Sequence, residues 1–426
     1  MLLFLAQTVV ILLVTLTCGW IATKLGQARV IGQIIGGIVV GPSVVGRFFP
    51  NLYEVFFPNG SLAAFEVLST LGLILFLFIV GTEIDLNQLY GQRIPITLIS
   101  SVSILLPFCI AIVISHPLQA RFAPREIPSS TFILFVGISM SITAFPVLAK
   151  ILEERGLLAS SLGTIAISCA AVDDVVAWSL LALALALERS SNNPALLSLR
   201  LFGLIAYVAV MFRVVRPIAW SWQRRMRYPV MSLEVWGCTL AGVFASAACT
   251  EAIGVHPLFG AFVAGLCLPR NRDWQKEVRK SLNTIVSTFL LPLFFVLTGI
   301  HTRIDLLANR AVALWMMIVL LGAIAGKMGG AAVAARCFGQ SWRNSLAIGT
   351  LLNTRGLVEL VVLKIAYDAG VFSAALFTIF VSMTIITTAA TNPLLNLIFR
   401  KSGQSFCEPA VLELSSPDES DVRLRS

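Results

Sequence analysis

Two adjacent carboxylates stand out first. Asp173 and Asp174 sit in Ala170-Ala171-Val172-Asp173-Asp174-Val175-Val176-Ala177-Trp178, inside an apolar run over residues 159–187. An acid at mid-bilayer depth costs about 2.5–3.5 kcal/mol even on a mild insertion scale, so such groups mark ion and proton paths. Neighbouring helical residues point about 100° apart. One acid can therefore face a central cavity while the other faces a flanking helix. Burial and mutual repulsion both oppose a second ionisation, and a pair that ionises one member at a time can trade protons for a cation. The competing reading is a structural pair of protonated or salt-bridged acids.

Other charges sit at similar depth. Lys327 lies within Gly322-Ala323-Ile324-Ala325-Gly326-Lys327-Met328-Gly329-Gly330. A buried ammonium needs a carboxylate, and Asp173 or Asp174 is the natural partner; the alternative is a lysine that snorkels to the interface. Arg355 and Glu359 are four apart, hence on one helix face, and read as a structural ion pair. Two polar breaks complete the set, Ser139-Met140-Ser141-Ile142-Thr143-Ala144-Phe145-Pro146 and Leu352-Asn353-Thr354-Arg355-Gly356. Pro146 removes a backbone donor and disfavours helical geometry before it. Unwound backbone at this depth survives only where it lines a cavity, and the half-helix ends it creates can hold ions.

The elements that must position these groups are membrane helices. Of 426 residues, 57% are hydrophobic and 12% charged, against about 25% charged in soluble domains, which excludes an ordinary soluble enzyme. Apolar runs give about thirteen transmembrane helices: 4–24, 30–46, 63–82, 94–115, 130–151, 159–187, 196–215, 232–252, 256–270, 284–300, 311–337, 344–367 and 371–399. Strand alternation is absent over any useful length, so the expected fold is all-α and polytopic. The first basic residue is Lys24, so the opening run is expected to be a retained span and not a signal peptide. The eight cysteines form no CxxC pair and the three histidines are scattered; no metal centre and no cofactor is expected. With the N-terminus outside, 21 of the 31 Lys and Arg fall on the cytoplasmic side and seven outside. That bias predicts N-out, C-in, and it accounts for the net charge of +9 without nucleic acid.

The halves of the chain echo each other. Gly36-Gly37-Ile38-Val39-Val40-Gly41 reappears as Gly260-Ala261-Phe262-Val263-Ala264-Gly265. Phe76-Leu77-Phe78-Ile79-Val80-Gly81 leading to Ile84-Asp85-Leu86 reappears as Leu293-Phe294-Phe295-Val296-Leu297-Thr298-Gly299 leading to Ile304-Asp305-Leu306. A shift of seven spans inverts the second copy, which is the inverted-topology repeat of secondary transporters. It makes the fifth and twelfth spans, which carry the two breaks, counterparts.

These residues resemble the monovalent cation:proton antiporter superfamily, in particular its second branch, which holds bacterial and cyanobacterial sodium/proton antiporters and plant cation/proton exchangers. The resemblance covers about residues 5–400. It rests on Val30-Ile31-Gly32-Gln33-Ile34-Ile35-Gly36-Gly37 with Gly41-Pro42-Ser43, on Ser141 to Leu148, on Asp173-Asp174, on Phe294-Phe295-Val296 with Gly299, and on Asn353 to Leu360. It implies two crossed broken helices (an NhaA/NapA-like fold) and a homodimer in the bilayer, with a core domain moving against a dimerisation domain. The core is expected around spans 63–187 and 284–399 of a transmembrane domain 1–400, with 401–426 a short cytoplasmic tail.

The resemblance further implies that Asp174 binds cation and protons alternately. Asp173 and Lys327 would modulate proton release, and Thr143 with exposed backbone would complete the site. Asp173 together with Lys327 resembles the electrogenic pattern. Two features depart from neighbouring members: Gln33 stands where many have Glu, and the tail of 25 residues after Lys401 is expected to be too short for the nucleotide-binding domain of glutathione-gated potassium efflux systems. The expected activity is exchange of Na⁺ (or K⁺ or Li⁺) for H⁺ in a bacterial inner or thylakoid membrane. The alternatives are K⁺/H⁺ exchange and a sodium-coupled organic-anion symporter. An intramembrane aspartyl protease would need its two acids on different helices, which Asp173-Asp174 cannot easily provide.

Overall fold

The computed structural model describes residues 1–58, 60–83, 93–124, 127–158, 160–190, 193–225, 233–268 and 272–400. Ile84-Asp85-Leu86 and the tail 401–426 lie outside them. The described residues form helices and contain no strands. In chain order they are α1 (Leu2–Lys24), α2 (Arg29–Val40), the short α3 (Val45–Phe48) and α4 (Pro50–Phe56), α5 (Ala63–Glu83), α6 (Arg93–Phe122), α7 (Ser129–Ser141), α8 (Phe145–Glu154), α9 (Ser161–Arg189), α10 (Pro194–Val210) and α11 (Arg216–Arg225). There follow α12 (Leu233–Ile253), α13 (Pro257–Cys267), α14 (Arg272–Ile285), α15 (Leu291–His301), α16 (Arg310–Ala323), α17 (Gly330–Cys337), α18 (Trp342–Leu352), α19 (Leu357–Asp368) and α20 (Ala374–Arg400).

Eleven helical stretches are long and apolar enough to cross a bilayer, and α18 with α19, bent by 41°, makes a twelfth. Together with the shorter apolar helix α13, these are the thirteen segments expected. The segment at 256–270 yields the 11-residue α13, about 16 Å of rise, roughly half a ~30 Å hydrocarbon core. Its ends are set locally. Pro257 occupies the first turn, where its missing N–H costs nothing, and Leu268 turns extended because Pro269 follows it. At 12 residues, its counterpart α2 is nearly as short.

The packing is symmetric between the halves, as an inverted repeat demands. Helix α2 packs on α15 while α13 packs on α5; α1 packs on α2 while α12 packs on α13; α7 packs on α9 while α18 packs on α20. Glycines at the echoed motifs make the first exchange possible. A Cβ on Gly37 would lie 2.5 Å from the Val296 carbonyl oxygen and one on Gly299 2.5 Å from that of Ile34. In the mirrored pair, a Cβ on Gly81 would lie 2.4 Å from Phe262 O and one on Gly265 2.3 Å from Phe78 O. Each distance is below any van der Waals contact, so the helices touch backbone to backbone, as small residues permit within membranes.

Two sets of helices emerge. One joins α5 and α15 to α1, α2 and α12–α14; the other joins α6, α7 and α9 to α16–α18 and α20. The long α10–α11 arm runs between them, contacting both α9 and α12.

Candidate ion-exchange site

The site is built where two helices fail to be continuous. Helix α7 ends at Ser141 and α8 starts at Phe145; between them Ile142 and Ala144 are extended. Helix α18 ends at Leu352 and α19 starts at Leu357. The gaps cross and bond each other: Ala144 N–H donates to Thr354 O at 2.9 Å, and Thr143 Oγ1 lies 2.9 Å from Leu352 O. The next helix over, α20, supplies hydroxyls. Thr388 Oγ1 accepts from Arg355 N at 3.1 Å and sits 2.7 Å from Arg355 O, and Thr391 Oγ1 lies 3.5 Å from Thr354 Oγ1. Backbone groups freed by the breaks thus find partners inside the protein, which is the condition for irregular backbone at this depth.

Cations occupy the open C-terminal end of α7, where the helix dipole is negative. Arg355 donates from Nη1 to Ser139 O at 2.5 Å and from Nη2 to Met140 O at 2.7 Å, while Nη1 also meets Glu359 Oε1 at 3.1 Å. Lys327 donates to Ser141 O and lies 3.5 Å from Ser103 O. The lysine sits in a π-helical turn, Ile324–Gly329, a wide turn of the kind that recurs at functional positions. Both Lys327 and Arg355 are fully buried, which removes the snorkelling alternative for Lys327.

Helix α9 carries both acids into this centre, and they meet different surroundings. Asp173 Oδ2 lies 3.0 Å from Lys327 Nζ and 2.6 Å from Thr143 Oγ1. Ser100 Oγ donates to its Oδ1 at 2.6 Å, and Ser103 Oγ approaches Oδ2 at 3.4 Å. Asp174 is equally buried, yet neither of its carboxylate oxygens has a hydrogen-bond partner. An unpartnered ionised carboxylate in such a place is very costly, so this group calls for a proton or a cation. Asn353 is also buried, with Oδ1 unpartnered; Pro146 is half-buried at the start of α8.

Sequence reasoning named nine of these groups but not Ser100, Ser103, Thr388 or Thr391. Their signal was present as Ser100-Ser101-Val102-Ser103 and as repeated threonines in the last span, yet hydroxyls are so common in membrane helices that nothing marked these. The described residues hold no cluster of three or more His, Cys, Asp or Glu that could bind a metal.

Two clefts open along opposite ends of α5. One, about 520 Å³, is lined by Glu66, Thr70 and Leu73 of α5, Phe294 and Leu297 of α15, and Val361, Lys364 and Asp368 of α19. The other, about 510 Å³, is lined by Phe76, Val80 and Glu83 of α5, Phe145, Pro146 and Lys150 of α8, Ile167 of α9 and Arg279 of α14. Along α5 the linings stop at Leu73 and restart at Phe76, about 4.5 Å of helical rise apart.

Comparison with known proteins gives the family. The family model described as "Sodium/hydrogen exchanger, transmembrane" matches residues 11–397. The Na⁺/H⁺ antiporter NhaS4 of Synechocystis is 38% identical over 406 residues, covering 94% of this chain and 98% of its own. Cation/H⁺ antiporter 18 of Arabidopsis thaliana is 38% identical over 399 residues, with 92% of this chain covered. The chain spans about half the length of that plant relative, 48%. Among solved structures, the sodium proton antiporter MjNhaP1 from Methanocaldococcus jannaschii superposes with a TM-score of 0.71 over 95% of this chain and 99% of its own, at 15% identity; that likeness speaks for the fold. With the repeat, the crossed breaks and the buried acid pair in place, this multi-pass membrane protein belongs to the sodium/hydrogen exchanger family.

Proposed function

We propose that the protein exchanges Na⁺ for H⁺ by alternating access, with Asp174 as the group that carries cation and protons in turn. One observation carries this reading: Asp174 is fully buried beside two helix breaks and both its oxygens lack a partner. Asp173 is tied down by Lys327, Thr143 and Ser100, so it serves as the fixed counter-charge and Thr143 as a hydroxyl neighbour of the ion. The two clefts, separated by about one helical turn of α5, supply access from either side. The name of the Synechocystis relative supports Na⁺/H⁺ exchange, and that of the plant relative supports cation/H⁺ exchange in general.

The packing suggests which parts move. In place of the core drawn from span numbers, the body carrying the acids and the breaks comprises α6–α9 and α16–α20. The other body, with α5 and α15 in it, forms the scaffold, through which two chains pair as a homodimer. The Lys and Arg bias supports a cytoplasmic Glu83 end, in a bacterial plasma or thylakoid membrane. Exchange is electrogenic, two protons for one cation, with cation entry displacing one proton from Asp174 and a second from Lys327 beside Asp173; a lone carboxylate trading one proton for one Na⁺ would be electroneutral.

The test is Na⁺-driven proton flux in proteoliposomes. Asp174→Asn should abolish it, and parental flux in that variant refutes the reading. A series with Na⁺, K⁺ and Li⁺ assigns the cation; a larger response to K⁺ would turn the assignment to K⁺/H⁺ exchange. Rates indifferent to an imposed potential would overturn electrogenicity.

A further inference from the structure

The ties between the two bodies differ between the ends. At the Glu66 end, charges from opposite bodies meet. Lys364 Nζ of α19 lies 3.9 Å from Glu66 Oε1 of α5, and Arg189 Nη1 of α9 lies 3.1 Å from Glu251 Oε1 of α12. The backbone N–H of Arg303, just after α15, donates to Thr378 Oγ1 of α20 at 3.0 Å. At the Glu83 end, the described ion pairs stay within one body: Arg279–Glu83 at 3.3 Å joins α14 to α5, and Lys150–Glu153 at 3.0 Å runs along α8. A neutral bond spans that end, from Asn392 Nδ2 to Gly26 O at 3.0 Å. The cleft there also reaches Phe145 and Pro146, next to the α7–α8 break, and Ile167, two turns before Asp174 on α9.

Lys364 has a second feature. It also pairs with Asp368, one turn along its own helix, and lies 6.0 Å from the centre of the Tyr367 ring. Leaving Glu66 would therefore not strand the ammonium without a counter-charge. A tie that breaks without uncovering a lone charge is reversible at low cost, as a gate that opens each cycle requires.

We propose that Lys364 and Glu66 form a latch between the two bodies that biases the molecule toward opening at the Glu83 end, and that wider opening toward the Glu66 end transfers Lys364 from Glu66 to Asp368 alone. This rests on the alternating-access reading above. The pair is partly exposed, with side-chain accessibilities of 17% and 47%, so its loss should shift the balance of states by roughly two- to fivefold.

The test places reporters in the full-length chain with native cysteines replaced by serine: Thr70→Cys in the Glu66-end cleft and Ala149→Cys in the other. A membrane-impermeant thiol reagent is applied to right-side-out and everted vesicles. Glu66→Gln should raise labelling at position 70 by about two- to fivefold and lower it at position 149. The charge swap Glu66→Lys with Lys364→Glu should return both toward the parent. Unchanged labelling, or a rise at both positions together, overturns the latch. Labelling needs no transport, so the same comparison in the Asp174→Asn background separates the two ideas. Exchange that survives Asp174→Asn sinks the proposed function, whereas labelling that ignores Glu66→Gln sinks the latch alone.

Discussion

Removing Lys327 tests how the buried centre balances its charges. In Lys327→Met, Asp173 keeps Ser100 at 2.6 Å, Thr143 at 2.6 Å and Ser103 at 3.4 Å, but loses the ammonium at 3.0 Å. Breaking a buried pair by deleting one partner costs about 3–5 kcal/mol, because the other charge is left uncompensated. Three hydroxyls around Asp173 place this variant at the lower end, about 3 kcal/mol. Asp173→Asn leaves Lys327 facing the carbonyls of Ser141 and Ser103, with no negative charge in contact, and should cost about 4–5 kcal/mol. The double variant removes both charges together, and a neutral pair of similar size is close to neutral for stability. The cycle should therefore show a coupling of roughly 3 kcal/mol or more. At about 2 °C per kcal/mol, as expected for a large chain, each single variant should melt about 6–10 °C below the parent and the double well above either single. The assay is thermal unfolding of purified protein in one detergent at one scan rate, since membrane-protein melting is commonly irreversible. A double variant whose loss equals the sum of the singles would refute the pairing of Lys327 with Asp173 as an energetic unit.

Three more outcomes follow from the geometry. Arg355→Met frees the carbonyls of Ser139 and Met140 and leaves Glu359 buried without its partner; the expected loss is about 3–5 kcal/mol, read as reduced folded yield, and Glu359→Leu in the same chain should recover part of it. Thr143→Val removes the hydroxyl shared by Asp173 and Leu352 O, with a cost of about 1–3 kcal/mol and slower exchange in proteoliposomes; Thr143→Ser should keep near-parental flux, and an equally impaired serine variant would contradict the hydroxyl's role. Gly265→Ala would push a methyl to 2.3 Å from Phe78 O, whereas Gly242→Ala meets nothing within 4 Å; size-exclusion yield should fall sharply for the first and stay unchanged for the second.

Much of the fold was legible because it follows from one-dimensional patterns. Apolar runs had to become helices, since a chain cannot cross lipid with unpaired backbone groups, and eleven of them reach spanning length. The exception, α13, shows the limit of counting. His256-Pro257 and Leu268-Pro269 cut the helix to 11 residues, and a run of apolar letters does not reveal where its ends bend. The glycine motifs revealed an inverted repeat, while their reason, backbone contact between α2 and α15 and between α5 and α13, required the packed structure.

The sequence by itself determined that costly charges lie in the membrane, at Asp173, Asp174, Lys327, Arg355 and Glu359, and that two helices break near them. Only the tertiary structure decided how these groups divide their work. Asp173 and Asp174 are adjacent and chemically identical, so no local rule separates them. A turn of about 100° carries one onto Lys327, Thr143 and Ser100, residues 154, 30 and 73 positions away, and leaves the other buried and unpartnered. Which acid is held and which stays free is a property of distant neighbours, and those exist only once the two halves have folded against each other.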